Sequence, residues 1–139
     1  MVAAAARLAG EHDFASFGVN PKRRIDTTVR TLHRLAVVAD GPMIYFDVIG
    51  DSFLYKMVRS LVGYLVLVGA EARPPHDADR VLAAKDRCAA GDSAPPQGLF
   101  LAKVFFGDDE WRDYTPALPP FAGLADPART WSSPADSGC

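Results

Sequence analysis

The chain has 139 residues, 49% of them apolar, with 15 basic against 17 acidic side chains and a net charge of −2. That length and apolar content suit one folded domain with a real core, and the charge balance excludes a whole-molecule field for nucleic acid, leaving only a local patch to argue from. Two cysteines, Cys88 and Cys139, show no CxxC pair and no ligand spacing to the three histidines, which excludes a disulfide framework, gives no metal site and makes a reducing cytoplasm the expected setting.

The opening MVAAAARLAGEHDF holds an alanine run but too little bulk or basic charge for a signal peptide. Residues 2–9 favour helix by propensity, and Gly10 stops them. EHDFASFGVNPKRR carries Gly18, Asn20 and Pro21 and reads as a loop. From Thr27 the pattern changes to period two, which predicts a strand with Val29, Thr31, His33 and Leu35 on one face and Arg30, Leu32 and Arg34 on the other. ADGP is a turn signal and MIYFDVIG a second strand, so an antiparallel hairpin is predicted. Asp51 and Ser52 are good N-caps for a long helix over 53–68, with Gly69 behind it.

RPP then breaks the chain, and HDADRVLAAKDRCAAG predicts a further helix with Val81, Leu82 and Ala89 facing inward. DSAPPQG reads as a loop and LFLAKVFF as a third strand. Beyond Gly107 the residues Pro116, Pro119, Pro120, Pro127 and Pro134 mark an irregular tail. The order predicts an α+β domain over residues 1–106, with helices packed on one face of a largely antiparallel sheet, followed by a proline-rich tail over 107–139.

DSFLYKMVRSLVGYLVLVGA, residues 51–70, is the most apolar stretch. Its uninterrupted apolar run is too short for the roughly 20 residues that a spanning helix needs, and two basic residues precede it, so no membrane segment is expected. At about 100° per residue, Ser52, Lys56, Arg59, Ser60 and Gly63 share one stripe of an otherwise apolar helix. Spacing alone leaves two readings open. Lys56 and Arg59 can snorkel to water at the core's edge, or the stripe can face a cleft where Arg59 forks its donors onto a carboxylate or phosphate. Gly63 would then allow a close approach, although glycine is also a packing residue.

A second signal is NPKRRIDTTVRTLHR, where Lys22, Arg23, Arg24, Arg30 and Arg34 stand against Asp26 alone. Such a segment suits a phosphate backbone, and a solvated basic loop explains it equally. The histidines carry little. His12 beside Asp13 suits a structural hydrogen bond, His33 a core-edge position and His76 the surface. Asp40, Asp47 and Asp51 fall at hairpin and cap positions that favour aspartate without catalysis. No Ser-His-Asp set and no glycine-rich phosphate loop is present.

LAGEHDFASF, TVRTLHRLAVV, FLYKMVRSLVGYLVLVG and DRCAAGDSAPPQGLFLAKV follow one another in this order. Together they resemble the C-terminal half of the tRNA pseudouridine synthase A (TruA-type) family, over residues 1–106. The resemblance implies an enzyme that isomerises uridines of the tRNA anticodon arm to pseudouridine through an aspartate nucleophile, with no cofactor or metal. It also implies two α+β halves whose sheets join around an RNA cleft, assembled as a homodimer.

Within that resemblance Arg59 would pair with the nucleophilic aspartate, and Leu99 would pack against the target base. Lys22, Arg23, Arg24, Arg30 and Lys56 become candidate RNA contacts. The nucleophile of the family lies in an Arg-Thr-Asp-Ala-Gly segment of the N-terminal half. Here Arg-Thr occurs at Arg30-Thr31 and Arg129-Thr130, followed by Leu32 and Trp131. The family's active-site tyrosine likewise belongs to the N-terminal half. These residues by themselves are therefore expected to be inactive, and a separate N-terminal half or a homodimer partner becomes a possible complement. The competing expectations are a non-catalytic RNA-binding module and an inactive remnant.

Overall fold

The structure, a computed structural model, describes residues 1–19, 26–107 and 109–116. Alanine loses no side-chain entropy on entering a helix, and the first helix, α1, runs over Val2–Leu8 with Ala4, Ala5 and Leu8 buried. Ala9 is already extended, and Gly10, at φ +99°, opens a short strand, β1, Gly10–Asp13. The segment expected to be a loop therefore holds a strand. Four residues are too few to show alternation, and β1 takes its hydrogen bonds from the next strand, with Gly10 opposite Leu32 and Asp13 opposite Val29.

That strand, β2, spans Val29–Asp40 and pairs antiparallel with β3, Met43–Gly50. Gly41 and Pro42 form a two-residue loop, with Gly41 at φ +54° where L side chains are disfavoured. The sheet order is β1-β2-β3. Leu32 pairs with Gly50 and Arg34 with Ile49, which leaves His33 as an extra residue in β2. The expected alternation fails there, because a bulge reverses the phase of every side chain beyond it. Leu32 and Leu35, three apart, both enter the core.

The next helix, α2, covers Met57–Gly69 and starts later than expected. Asp51 accepts a hydrogen bond from the His33 ring and caps no helix. Residues 52–56 cross to the core, where Leu54 is buried, and Lys56 turns the chain into α2 from a left-handed conformation, φ 59°. The predicted helix after the prolines is divided. Its first part, α3, is Asp77–Ala84, and Lys85 at φ 50° ends it. The Asp86 side chain then accepts from the Cys88 amide to start a 3-10 turn, Arg87–Ala90. A second such turn spans Pro96–Gly98.

Residues 99–106, expected to be a strand, form no ladder with the three described strands, and Leu101 and Phe106 are 84% and 94% exposed. An extended run becomes a strand only where a neighbour supplies hydrogen bonds. The described part of the tail turns back over β2. Trp111 stacks on His33 with ring centres 4.6 Å apart, and Arg34 donates both to Asp47 and to the Tyr114 carbonyl. Residues 117–139 lie outside the described set.

Helices cover one face of the sheet, as the sequence predicted. The core joins Ala4, Ala5 and Leu8 of α1 with Leu32 and Leu35 of β2, Met57, Leu61, Tyr64 and Leu65 of α2, and Val81 of α3. Each fully buried leucine contributes about 2 kcal/mol of transfer free energy. Phe14, Phe17 and Tyr64 stack edge to face at 6.1 and 5.8 Å, and burial pushes the Tyr64 phenol up to about 12. Among the described residues no helix is long and apolar enough to cross a membrane.

Two carboxylates tie the outer elements together. A hydrogen bond from Arg80 holds Asp77 below its ordinary 3.8, with Arg73 adding to it. Lys85 and Thr28 do the same for Asp13. A carboxylate with a depressed folded value stabilises the fold fully above its unfolded value. That stabilisation is lost as pH falls through the folded value. Stability is therefore expected to drop below pH about 4, and Asp77→Asn should flatten that acid limb in urea titrations. An unchanged limb would show that the Asp77 pairs contribute nothing.

Candidate functional site

Arg59 lies in the first turn of α2, half-buried, and it is fixed twice to one residue of a distant loop. Its Nε donates to the Ala94 carbonyl at 2.7 Å, and its own carbonyl accepts from the Ala94 amide at 2.9 Å. One turn along, Gly63 is buried, and a Cβ built there would overlap the Asp92 carbonyl oxygen. The close approach that the sequence allowed at Gly63 is thus made by the loop's own backbone.

Ser60, between them, is fully buried. Its hydroxyl donates to the Lys56 carbonyl at 3.1 Å and meets the Ser93 hydroxyl at 3.0 Å. Arg87 Nη2 donates to Ser93 at 2.8 Å. Since the Ser60 proton goes to Lys56, Ser93 donates to Ser60 and accepts from Arg87. Every hydroxyl in this chain is then satisfied, as buried polar groups require.

With Nε bound to Ala94, the guanidinium of Arg59 presents its two Nη groups as an end-on fork. No carboxylate of the described residues pairs with it. An arginine in this state can take a planar oxyanion on its two Nη groups. Loop 91–95 continues through the Pro96–Gly98 turn to Leu99, which is half exposed. One loop therefore holds Arg59 and presents Leu99.

Among the described residues, the side chains of Lys56 and Arg30 take no part in this group. Lys56 belongs not to the helical stripe but to the residue before α2, with Nζ 5.7 Å from the centre of its neighbour Tyr55. Ser52 likewise lies outside α2. Arg30 folds back along its own strand and donates to the Thr27 and Val29 carbonyls. Lys22, Arg23 and Arg24 lie outside the described residues. His12 bonds to the Ala9 carbonyl, the structural role expected of it. His33, paired with Asp51 and stacked on Trp111, is more engaged than a core-edge residue.

Sequence reasoning found Arg59, Ser60 and Gly63 on one helical stripe but turned Ser60 toward a groove, and it missed Ser93 and Arg87. The proximity of residues 92–94 to α2 has no sequence signal beyond the tight loop that precedes Pro95 and Pro96.

Comparison with known proteins places this geometry in context. A family model described as tRNA pseudouridine synthase matches residues 4–107. The tRNA pseudouridine synthase A of Geobacillus kaustophilus is 47% identical over 102 residues, which cover 73% of this chain and 39% of that protein. The corresponding enzyme of Moorella thermoacetica is 45% identical over 106 residues, covering 75% and 42%. The tRNA pseudouridine synthase A 2 of Clostridium tetani is 41% identical over 109 residues, covering 76% and 42%. The chain thus spans about two fifths of the length of these curated relatives.

Proposed function

The chain belongs to the tRNA pseudouridine synthase family, and from that membership we propose that it supplies the arginine-bearing wall of an enzyme isomerising uridine to pseudouridine in tRNA. In this reading residues 1–106 are the C-terminal α+β half and residues 107–139 a separate tail. The aspartate nucleophile comes from an N-terminal half. Its carboxylate docks end-on against the two Nη groups of Arg59. The guanidinium keeps that carboxylate ionised and points one oxygen at the target nucleoside. Arg59 takes no proton and forms no covalent bond. It holds the charge state and the angle of the attacking group.

Leu99 packs against the uracil, so that the freed base turns within an apolar contact and rejoins the ribose through carbon. Lys22, Arg23, Arg24, Arg30 and Lys56 bind tRNA phosphates, which steers association and makes affinity fall as salt rises. A tRNA substrate agrees with a cytoplasmic setting. The observation that carries the proposal is the Arg59 guanidinium, anchored through Nε on the Ala94 carbonyl and paired with no carboxylate among the described residues.

The test is a pseudouridine assay on unmodified tRNA, with the 139-residue chain alone, an N-terminal half of the family alone, and the two together. Product is expected only from the mixture. Product from the chain alone would overturn the need for an outside carboxylate. A mixture that associates and binds tRNA but makes no product would favour a non-catalytic RNA-binding module. An inactive remnant would show neither association nor binding.

A further inference from the structure

We infer that Ser93 is a positioning residue for the reaction, acting through loop 92–95 to set which edge of the Arg59 guanidinium meets the carboxylate. The inference rests on the reading of Arg59 given above and adds a part of the site that lies on the loop. A guanidinium offers a carboxylate two bidentate edges, one formed by Nε with a single Nη and one by both Nη groups. Anchoring of Nε on the Ala94 carbonyl, 2.7 Å away, removes the first. Only the end-on edge remains, so the loop decides the direction from which the carboxylate must arrive.

What holds that carbonyl in place is the hydroxyl chain. Arg87 donates to Ser93 and also to the Gly91 carbonyl, which grips the loop just ahead of Ala94. Ser93 donates to the fully buried Ser60, and Ser60 donates to the Lys56 carbonyl at the start of α2. The loop is thereby bonded to α2 at Arg59 and at Ser60. Beside these bonds, its Asp92 carbonyl lies too close to Gly63 for any side chain there.

Removal of the Ser93 hydroxyl leaves Arg87 Nη2 and Ser60 each without this partner. It also frees the loop to move relative to Arg59 while the apolar core of α2 is untouched. A threonine at 93 keeps the hydroxyl and with it the chain of hydrogen bonds.

The test measures exchange of the Arg59 Nε proton with water by nitrogen-15 NMR in the full 139-residue chain, together with turnover in the mixture with the N-terminal half. Ser93→Ala should speed that exchange about tenfold, and Ser93→Thr should leave it near the parent value. In the mixture Ser93→Ala should lower kcat about tenfold with KM for tRNA unchanged, because Ser93 and Ala94 act on Arg59, which meets the attacking carboxylate and no tRNA phosphate. Ser93→Thr should restore kcat.

Unchanged Nε exchange in Ser93→Ala would overturn the inference, as would faster exchange with an unaltered kcat. A parent mixture without turnover would instead overturn the functional reading, and the exchange result would then decide the anchoring role alone. Circular dichroism of Ser93→Ala, expected to match the parent, separates positioning from folding. An unfolded Ser93→Ala beside a folded Ser93→Thr would make the hydroxyl structural and overturn the positioning role.

Discussion

Arg59→Ala is expected to lower pseudouridine formation by the assembled enzyme about 10³-fold, with tRNA affinity changed less than about twofold. The change removes a guanidinium whose Nη fork is the only part not already bound to the protein's own backbone. The carboxylate it would hold then loses both its charge partner and its fixed angle, so its protonated fraction rises and its attack is less often in line. Arg59→Lys should recover little. A single ammonium cannot bond the Ala94 carbonyl and both carboxylate oxygens in the fork geometry that a planar guanidinium provides. Rate measurements at saturating tRNA separate the outcomes. A variant that loses affinity and keeps its kcat would make Arg59 a phosphate contact instead.

Gly63→Ala is expected to destabilise the fold by about 3 kcal/mol, although alanine favours a helix over glycine by about 1 kcal/mol. The added Cβ meets the Asp92 carbonyl oxygen and lies 3.1 Å from the Ala94 nitrogen. Both are backbone atoms, so no flexible side chain can swing clear. Either the loop lifts from α2, which breaks the Ala94 bonds to Arg59 and the Ser93 bond to Ser60, or α2 shifts within its packed core. Gly98→Ala is the control, since an added Cβ there has nothing within 4 Å. Urea denaturation checks the pair: a large loss for Gly63→Ala beside a near-neutral Gly98→Ala is expected. A Gly63→Ala protein as stable as the parent would show that the loop is not clamped on the helix.

What the sequence made legible follows the range of the forces involved. β2 and β3 were readable because β-branched and aromatic residues are dense on both sides of a Gly-Pro turn, all within 22 residues of chain. The apolar half of α2, from Leu61 to Val68, was readable for the same local reason. Features set by distant partners were not. β1 exists because β2 completes its hydrogen bonds, and the bulge at His33 shows only in the register against β3. At the late start of α2, Asp51 turns to His33, 18 residues away, and Lys56 enters the helix from a left-handed conformation. LFLAKVFF had the composition of a strand, yet the described sheet gives it no neighbour.

The site divides in the same way. Helical spacing put Arg59 and Gly63 on one side of α2 but could not say what lay opposite, and so it favoured a snorkelling cation over a cleft cation. The answer is a loop more than 25 residues further along the chain. Its carbonyl at Ala94 takes the Nε of Arg59 and leaves the two Nη groups to bond elsewhere. Residue types alone could not reveal this, because the atoms that do the positioning at Asp92 and Ala94 are backbone.

The docking of a carboxylate from an N-terminal half onto Arg59 would be visible at the arginine's own nitrogens. Its most direct test is the nitrogen-15 spectrum of the Arg59 Nη groups in the labelled chain, recorded with an unlabelled N-terminal half carrying either its nucleophilic aspartate or asparagine in its place. The Nη protons are expected to become slow to exchange and to shift with the aspartate form alone, while the Nε signal, already held by Ala94, stays where it was. Identical Nη spectra with the aspartate and asparagine forms, in complexes of equal affinity, would contradict that docking.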